Sequence, residues 1–406
     1  MRVYHISSAP FSGGAARAGF RLHEGLLREP AIESIWLDAE GSAHGPSVIN
    51  LSHPSKPSSL FLRLRRKKWA NIIRQHFRPT TPPASNPIGW GSIEMFEKFP
   101  KPDVWNLHWV SWFLDWGNLL PWMAEQAPIV WTLHDLNPLR GIWHYEPQPE
   151  ERTPERLKYE AEAMEIKRRA LAKVPKDRIT FVGPSKWMVE ECRKSPVTAG
   201  FRAEHIPYGL DTQIFRARPK QRIREIFGIP ESDFVIGFVA DSVNDPRKGM
   251  HLLMEAIKEL PTSNSNLHLI AVGSGKFDNL GLLCTHVGGI HNDVLISHIY
   301  SACDVFVCPS TQDNLPNTVL EALACGTPVI GFKVGGLPDL VLPPHNGLLA
   351  DIDNGMLNLA EKISEAMNLF RPNLEKNFSY SSKIADQYTL AQQAKRYRNS
   401  YEAMTK

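Results

Sequence analysis

Short apolar runs alternate along this chain with longer stretches of helical periodicity, and the alternation restarts midway. Val3 to Ile6, Ser34 to Leu37, Val104 to Leu107, Ile129 to Thr132 and Thr180 to Gly183 read as buried strands, and their alternation with helical patterns argues for a parallel sheet covered by helices. A connector around Tyr208 to Pro219 follows, and the rhythm resumes with Val235 to Val239, Leu267 to Val272, Val305 to Cys308 and Pro328 to Phe332. A length of 406 residues suffices for two domains that each bury a full core. The expected division is 1–212 and 213–383. The helical pattern from Ile384 to Met404, with Ala385, Tyr388, Ala391, Ala394, Tyr397 and Tyr401 recurring, is expected to pack back on the first domain. Arg78 to Ser92, rich in Pro and Ser, reads as an irregular loop. Ligands of open α/β sheets bind beyond the carboxyl ends of strands, so two such sheets predict a cleft lined from both halves.

Composition narrows the function classes. Lys and Arg total 46 against 43 Asp and Glu, and a net charge of +3 is too small to imply a nucleic-acid partner. Cys192, Cys284, Cys303, Cys308 and Cys325 are spread singly and read as reduced core residues of a cytoplasmic protein. The segment from Met1 to Ile6 gives way to the polar, glycine-rich Ser12-Gly13-Gly14, unlike a signal peptide, and no apolar run reaches the roughly 18 residues of a membrane span.

The most direct chemical signal is the stretch from Asp313 to Gly331, Asp-Asn-Leu-Pro-Asn-Thr-Val-Leu-Glu-Ala-Leu-Ala-Cys-Gly-Thr-Pro-Val-Ile-Gly, with two carboxylates eight residues apart across a loop-to-helix turn. Pro316 suits a first helical position, Gly326 a left-handed stop, and Pro328 the start of the next element. Asp313 then lies just ahead of a helix N-terminus and Glu321 inside that helix. Such a terminus attracts phosphate, and an acid a turn or two further on can accept sugar or ribose hydroxyls. The plain alternative is a helix cap at Asp313 and a solvated face at Glu321.

Other loops follow strand ends. Gly13 and Gly14 open a helix after the first strand, although the pattern is not a dinucleotide fingerprint. His108 and His134 each end an apolar strand, where a structural hydrogen bond competes with a catalytic role. No metal-ligand spacing accompanies them, and no metal is expected. Arg247 and Lys248, on the loop ahead of a helix at His251 to Leu260, suit a diphosphate; a solvated turn is the alternative. Gly273-Ser-Gly275 ends another strand, and His286 to Asp293 leads into a helix ending near Ala302; both loops can line a nucleotide pocket.

Together these residues resemble retaining glycosyltransferase family 4, the group 1 glycosyltransferases, over nearly the whole chain. The family signature is a Glu, seven residues and a Glu, followed by Ala-x-Gly-x-Pro-Val, and Pro309-Ser310 with Glu321-Ala-Leu-Ala-Cys-Gly-Thr-Pro-Val matches it. Asp313 replaces the first acid, and Asn314-Leu315-Pro316-Asn317 stands where Phe-Gly is usual, a form similar to a branch that includes bacterial surface-polysaccharide transferases. The resemblance implies a GT-B fold of two Rossmann-like domains. It also implies that Glu321 binds the nucleotide ribose, that Asp313 faces the donor sugar, and that the segment Asn314, Leu315, Asn317 and Thr318 holds the distal phosphate. Lys248 matches the family lysine that neutralises the leaving diphosphate. The usual Gly-Arg reads Ala240-Asp241, with Arg247 as the candidate substitute. Gly13, Gly14 and Gly273 fall on the donor side, His134 near the anomeric carbon, and His108, Asp135 and Arg17 on the acceptor side.

The implied reaction moves a sugar from a nucleoside-diphosphate sugar to a hydroxyl of a saccharide or lipid-linked acceptor, with retention and without metal or other cofactor. His134 would position the sugar or act through its backbone carbonyl. The alternatives are a nucleotide-sugar epimerase of the same fold and a non-catalytic relative that keeps the binding site. Arg63-Leu-Arg65-Arg66-Lys67-Lys68-Trp69, within a helix at Leu60 to Phe77, adds an expectation about location. With Phe61, Leu64, Trp69, Ile72, Ile73 and Phe77 partly on one side, it can lie on the inner face of an anionic membrane; a helix facing its own core is the alternative.

Overall fold

The computed structural model describes residues 1–10, 13–51, 60–77, 83–260, 266–278, 282–370, 383–384 and 386–406; Ser12, Ala385 and 78–82 of the expected loop lie outside them. The chain forms two compact units, Met1–Tyr208 with Leu390–Lys406, and Gly209–Thr389.

The first unit holds seven strands, β1 (Arg2–Ser7), β2 (Glu33–Asp38), β3 (Val48–Asn50), β4 (Val104–Leu107), β5 (Ile129–Thr132), β6 (Ile179–Gly183) and β7 (Arg202–His205). They pair in parallel in the order β3-β2-β1-β4-β5-β6-β7. Helices α1 (Gly14–Leu26), α2 (Leu60–His76), α3 (Leu119–Gln126), α4 (Pro154–Leu171) and α5 (Lys186–Lys194) supply the cover. The strand order reverses between β1 and β4, which opens a crevice at their carboxyl ends.

The expected terminal helix starts later than its periodicity implied, at Leu390, and runs to Thr405. Leu390, Ala394, Tyr397 and Tyr401 recur every three to four positions and are buried, so one face can dock. The Tyr401 hydroxyl donates to Asn106 Oδ1 at 2.5 Å, and the Tyr397 hydroxyl lies 2.9 Å from Thr132 Oγ1. Just before this helix, Tyr388 and Thr389 pair with Leu210, so the chain leaves the second unit there.

The second unit holds β8 (Phe234–Ser242), β9 (Leu267–Ser274), β10 (Leu283–Gly288), β11 (Val305–Cys308), β12 (Val329–Phe332) and β13 (Gly347–Ala350), all parallel, in the order β10-β9-β8-β11-β12-β13. Its helices are α6 (Lys220–Phe227), α7 (Met250–Lys258), α8 (Asp293–Ala302), α9 (Asn317–Ala324), α10 (Leu337–Leu340) and α11 (Gly355–Leu369). Here the order reverses between β8 and β11. His286 belongs to β10, not to a loop, and Pro316 precedes α9 as its cap residue instead of opening it.

Helix α2 forms as expected, but its apolar residues divide. Trp69, Ile72, Ile73 and Phe77 join Ile142, Trp143 and Ala163 in a core cluster, whereas Phe61 and Leu64 are 66% and 58% exposed. The second half of the helix has a neighbour to pack on, and the first half presents its apolar positions to solvent.

Candidate active site

At the strand reversal of the second unit, two loops are stitched together by their backbones. The loop after β8 turns at Asp245, whose carboxylate accepts the Arg247 amide at 2.9 Å, and the Arg247 carbonyl accepts the Thr311 amide from the loop after β11 at 2.9 Å. Gly249 allows this closeness, and Gly335, on the loop after β12, allows a third loop to approach Asp313. Gly249 (φ +75) and Gly335 (φ +52) are left-handed, and a Cβ on either would fall 2.1 Å from the Pro309 carbonyl oxygen or 1.7 Å from that of Asp313.

The stitched loops bring charges together. Lys248 Nζ donates to Asp313 Oδ2 at 2.5 Å, and Arg247 Nη1 lies 3.7 Å from the same oxygen while donating to the Gln312 carbonyl at 3.0 Å. The other Asp313 oxygen accepts the Asn314 amide at 3.0 Å. Burial pushes the Asp313 carboxyl pKa up, but Lys248, then Arg247 and the Asn314 amide, overcome it and hold the group below the usual aspartate range. Asp313 is not the cap of α9. It is the anion of a cationic site.

Glu321 is 3% exposed, and its Oε2 accepts the Tyr300 hydroxyl of α8 at 3.0 Å, so it is not a solvated helix face. Asn314 and Leu315 are buried, and the Asn314 carbonyl accepts the Gly336 amide at 2.6 Å. Asn317 and Thr318 open α9, where the first amides of a helix have no acceptor within it. Gly273 ends β9 beside Ala240 and Val243, on the other flank of β8 from the ionic group.

In the first unit, Gly13 caps α1, Gly14 is its first residue, and Arg17 is half-buried one turn on. His108 and His134 follow β4 and β5 and are joined into a longer chain of rings. His5 Nδ1 lies 3.0 Å from His108 Nε2, His108 Nδ1 3.1 Å from His134 Nε2, and His134 Nδ1 2.8 Å from the Tyr208 hydroxyl. Burial holds all three imidazoles neutral: it lowers the pKa of His134 to about 4 and those of His5 and His108 well below the usual value. Both ring nitrogens of His134 are engaged, so the ring does not present a free base.

Asp135 is likewise committed. Its Oδ2 accepts Trp109 Nε1 at 2.7 Å and His144 Nδ1 at 2.6 Å, its Oδ1 accepts the Asn137 amide at 2.9 Å, and His144 Nε2 in turn lies 2.9 Å from Ser85 Oγ. The Ser85-His144-Asp135 order is that of a nucleophilic triad, but Ser85 and His144 are both buried to 1% exposure, which makes the group a brace under the loops. His108, His134, Asp135, Trp109, Asn86 and Asn137 line a small pocket above it.

Sequence reasoning missed His5, Tyr208, His144 and Tyr300. His5 sits inside an apolar strand, where no pattern separates it from its neighbours. The larger surface cleft, about 610 Å³, lies between α2 and α4 and is lined by Arg65, Lys68, Trp69, Lys158, Ile166 and Arg169 among others. Among the described residues no group of three or more His, Cys, Asp or Glu could hold a metal ion, and no helix is long and apolar enough to cross a membrane.

Residues 233–368, all within the second unit, match the family profile described as "Glycosyl transferases group 1". A D-inositol 3-phosphate glycosyltransferase of Segniliparus rotundus is 31% identical over 159 residues, which is 36% of this chain and 35% of the relative. The chain spans less than half the length of the curated relatives it matches. Among solved structures, a sucrose-phosphate synthase from Thermosynechococcus elongatus aligns with a TM-score of 0.68 at 19% identity, covering 99% of both chains. HepE from Anabaena, solved in complex with UDP-glucose, aligns with a TM-score of 0.65 at 17% identity, covering 99% of this chain and 100% of its own. The chain therefore has the GT-B fold, two doubly wound parallel sheets in sequence, and its second unit is similar in sequence to the group 1 glycosyl transferases.

Proposed function

We propose that the protein is a glycosyltransferase that moves a sugar from a nucleoside-diphosphate sugar to a hydroxyl of a saccharide or lipid-linked acceptor in polysaccharide or glycolipid synthesis, with retention and without a metal. The observation that carries the reading is the convergence of Lys248 and Arg247 at the strand reversal of the second unit, the unit that matches the group 1 profile, with buried Glu321 on α9 close behind in sequence. Negative charge grows on the leaving diphosphate as the glycosidic bond breaks. Two cations held at the strand reversal and the opening amides of α9 are groups that stabilise such charge. Glu321, oriented by Tyr300, suits a pair of ribose hydroxyls. The acceptor is assigned to the first unit, near the His108, His134 and Asp135 pocket.

The test is a panel of nucleotide sugars, with UDP-glucose first, in thermal unfolding followed by turnover assays. A matching donor at about 100 times its Kd stabilises the fold by about 2.7 kcal/mol, which raises the midpoint by several degrees. Transfer that needs an acceptor supports the proposal. Acceptor-independent isomerisation of the sugar points to an epimerase, binding without turnover to a non-catalytic relative, and no response to any donor rejects all three.

A lipid-linked acceptor would need the enzyme at a membrane surface, and α2 supports that part of the reading. Phe61, Leu64, Arg65 and Lys68 share one face of α2, and both apolar members are exposed. Anionic liposomes are expected to co-sediment the protein at low salt. The quadruple neutralisation of Arg65, Arg66, Lys67 and Lys68 to Gln should weaken this by about 1 kcal/mol per charge in contact. Equal co-sedimentation of variant and wild type would remove the membrane from the reading.

A further inference from the structure

We infer that Asp313 is a built-in counter-anion that holds the phosphate site while it is empty and speeds the departure of the diphosphate product; the inference rests on the donor-site reading above. Two groups suited to a diphosphate donate to the Asp313 carboxylate, the Lys248 ammonium at 2.5 Å and the Asn314 amide at 3.0 Å, and the Arg247 guanidinium, which pairs with Asp245 at 3.1 Å and donates to the Gln312 carbonyl, lies 3.7 Å away. The carboxylate is buried and ionised. It therefore engages the same cation and amide that a phosphate would use.

A diphosphate entering this site cannot leave that arrangement intact. Two anions within a few ångströms of one ammonium repel each other, so each weakens the other's hold on it. Donor phosphate and Asp313 thus compete for Lys248, and the inference is that the carboxylate yields the lysine when the donor binds. After transfer the nucleoside diphosphate bears more negative charge than the donor did. The return of Asp313 to Lys248 then competes with the product and favours its release. The role is that of a positioning residue acting through Lys248. It makes a prediction opposite in sign to a sugar-contacting or merely structural aspartate.

The experiment titrates wild type, Asp313→Asn and Asp313→Glu with inorganic pyrophosphate and with UDP, neither of which carries a sugar, by calorimetry. Asp313→Asn is expected to bind both about tenfold more tightly than wild type, and Asp313→Glu, which keeps the charge, is expected to resemble wild type. In turnover, Asp313→Asn should lower KM and kcat together as product release slows. Binding by Asp313→Asn that equals or falls below wild type overturns the inference and leaves the donor site standing if UDP still binds. Tightened pyrophosphate with no UDP binding in any variant supports the counter-anion and rejects uridine as the donor base, the nucleotide reading itself being decided by the donor panel, and no binding of pyrophosphate to any variant overturns the inference. Asp313→Ser also removes the charge and replaces Asp313→Asn should the latter not fold.

Discussion

Replacing Lys248 by Ala is expected to lower kcat/KM for sugar transfer by about 10²- to 10³-fold, the usual loss when one fixed donor is removed from a site of developing negative charge. Lys248 ends a short turn, its side chain is one-quarter exposed, and it supports no core cluster. The fold should therefore survive. Asp313 keeps the Asn314 amide and the more distant Arg247 guanidinium when the ammonium is gone. Lys248→Arg should recover only part of the rate, because a planar fork cannot occupy the point-charge position 2.5 Å from Asp313 Oδ2 without moving the loop. Initial rates with the donor chosen by the panel, beside circular dichroism of each variant, measure this. A Lys248→Ala enzyme within about threefold of wild type would place the leaving-group stabilisation elsewhere.

The parts of the fold that were legible in the sequence share a physical cause. Strands β1, β2, β4, β5, β6, β8, β9, β11 and β12 lie inside their sheets with helices as cover, so most of their residues are buried and they read as apolar runs. The four unrecognised strands, β3, β7, β10 and β13, are the outer strands of the two sheets. Arg202-Ala-Glu-His205 and Leu283-Cys-Thr-His-Val-Gly288 have one neighbour each and are partly exposed, so nothing in their composition separates them from loops. Gly347–Ala350 is buried but short, and its opening glycine reads as a turn. The division of α2 was hidden for a related reason. Periodicity reports that a helix has an apolar side; it does not report how far along the helix a partner extends.

The site was legible where chemistry and backbone signals coincided. Asp-Pro-Arg-Lys-Gly at a strand end marks a turn that carries cations, and that turn is present with Gly249 left-handed. The pairing of Lys248 with Asp313 spans 65 residues and follows from the adjacency of β8 and β11, which no local pattern encodes. The rings of His5, His108 and His134 meet because β1, β4 and β5 are neighbours, although 103 residues separate the first two. Such partners become visible only once strand order is known. The same step shows the polar atoms of His134 and Asp135 committed to neighbours that no local pattern placed beside them.

The stability of the second unit is expected to depend strongly on Asp304. Asp304 stands just before β11, the strand that delivers Asp313, and its Oδ2 accepts both the buried Arg224 guanidinium at 2.7 Å and the Val235 amide at 2.8 Å, while Oδ1 accepts Lys220 at 3.0 Å. Arg224 also donates to the Ala302 and Asp233 carbonyls, so one ion pair ties α6, the end of α8, β8 and β11. Asp304→Ala leaves a buried guanidinium and a buried amide without their acceptor, a change expected to cost about 3–5 kcal/mol. Asp304→Asn should cost less, because the carbonyl still accepts one of them. Burial raises the Asp304 pKa, but Lys220, then Arg224 and the Val235 amide, overcome this and hold it below 3.8. A carboxyl depressed in the folded state contributes stability above its unfolded pKa and loses it as pH falls through the folded value. Wild type should therefore lose this contribution on acidification below about pH 4, and Asp304→Asn should lack that step. Urea unfolding followed at several pH values tests both statements. A variant that matches wild type at pH 7, or that keeps the same acid dependence, would mean that the pair is not what fastens β11.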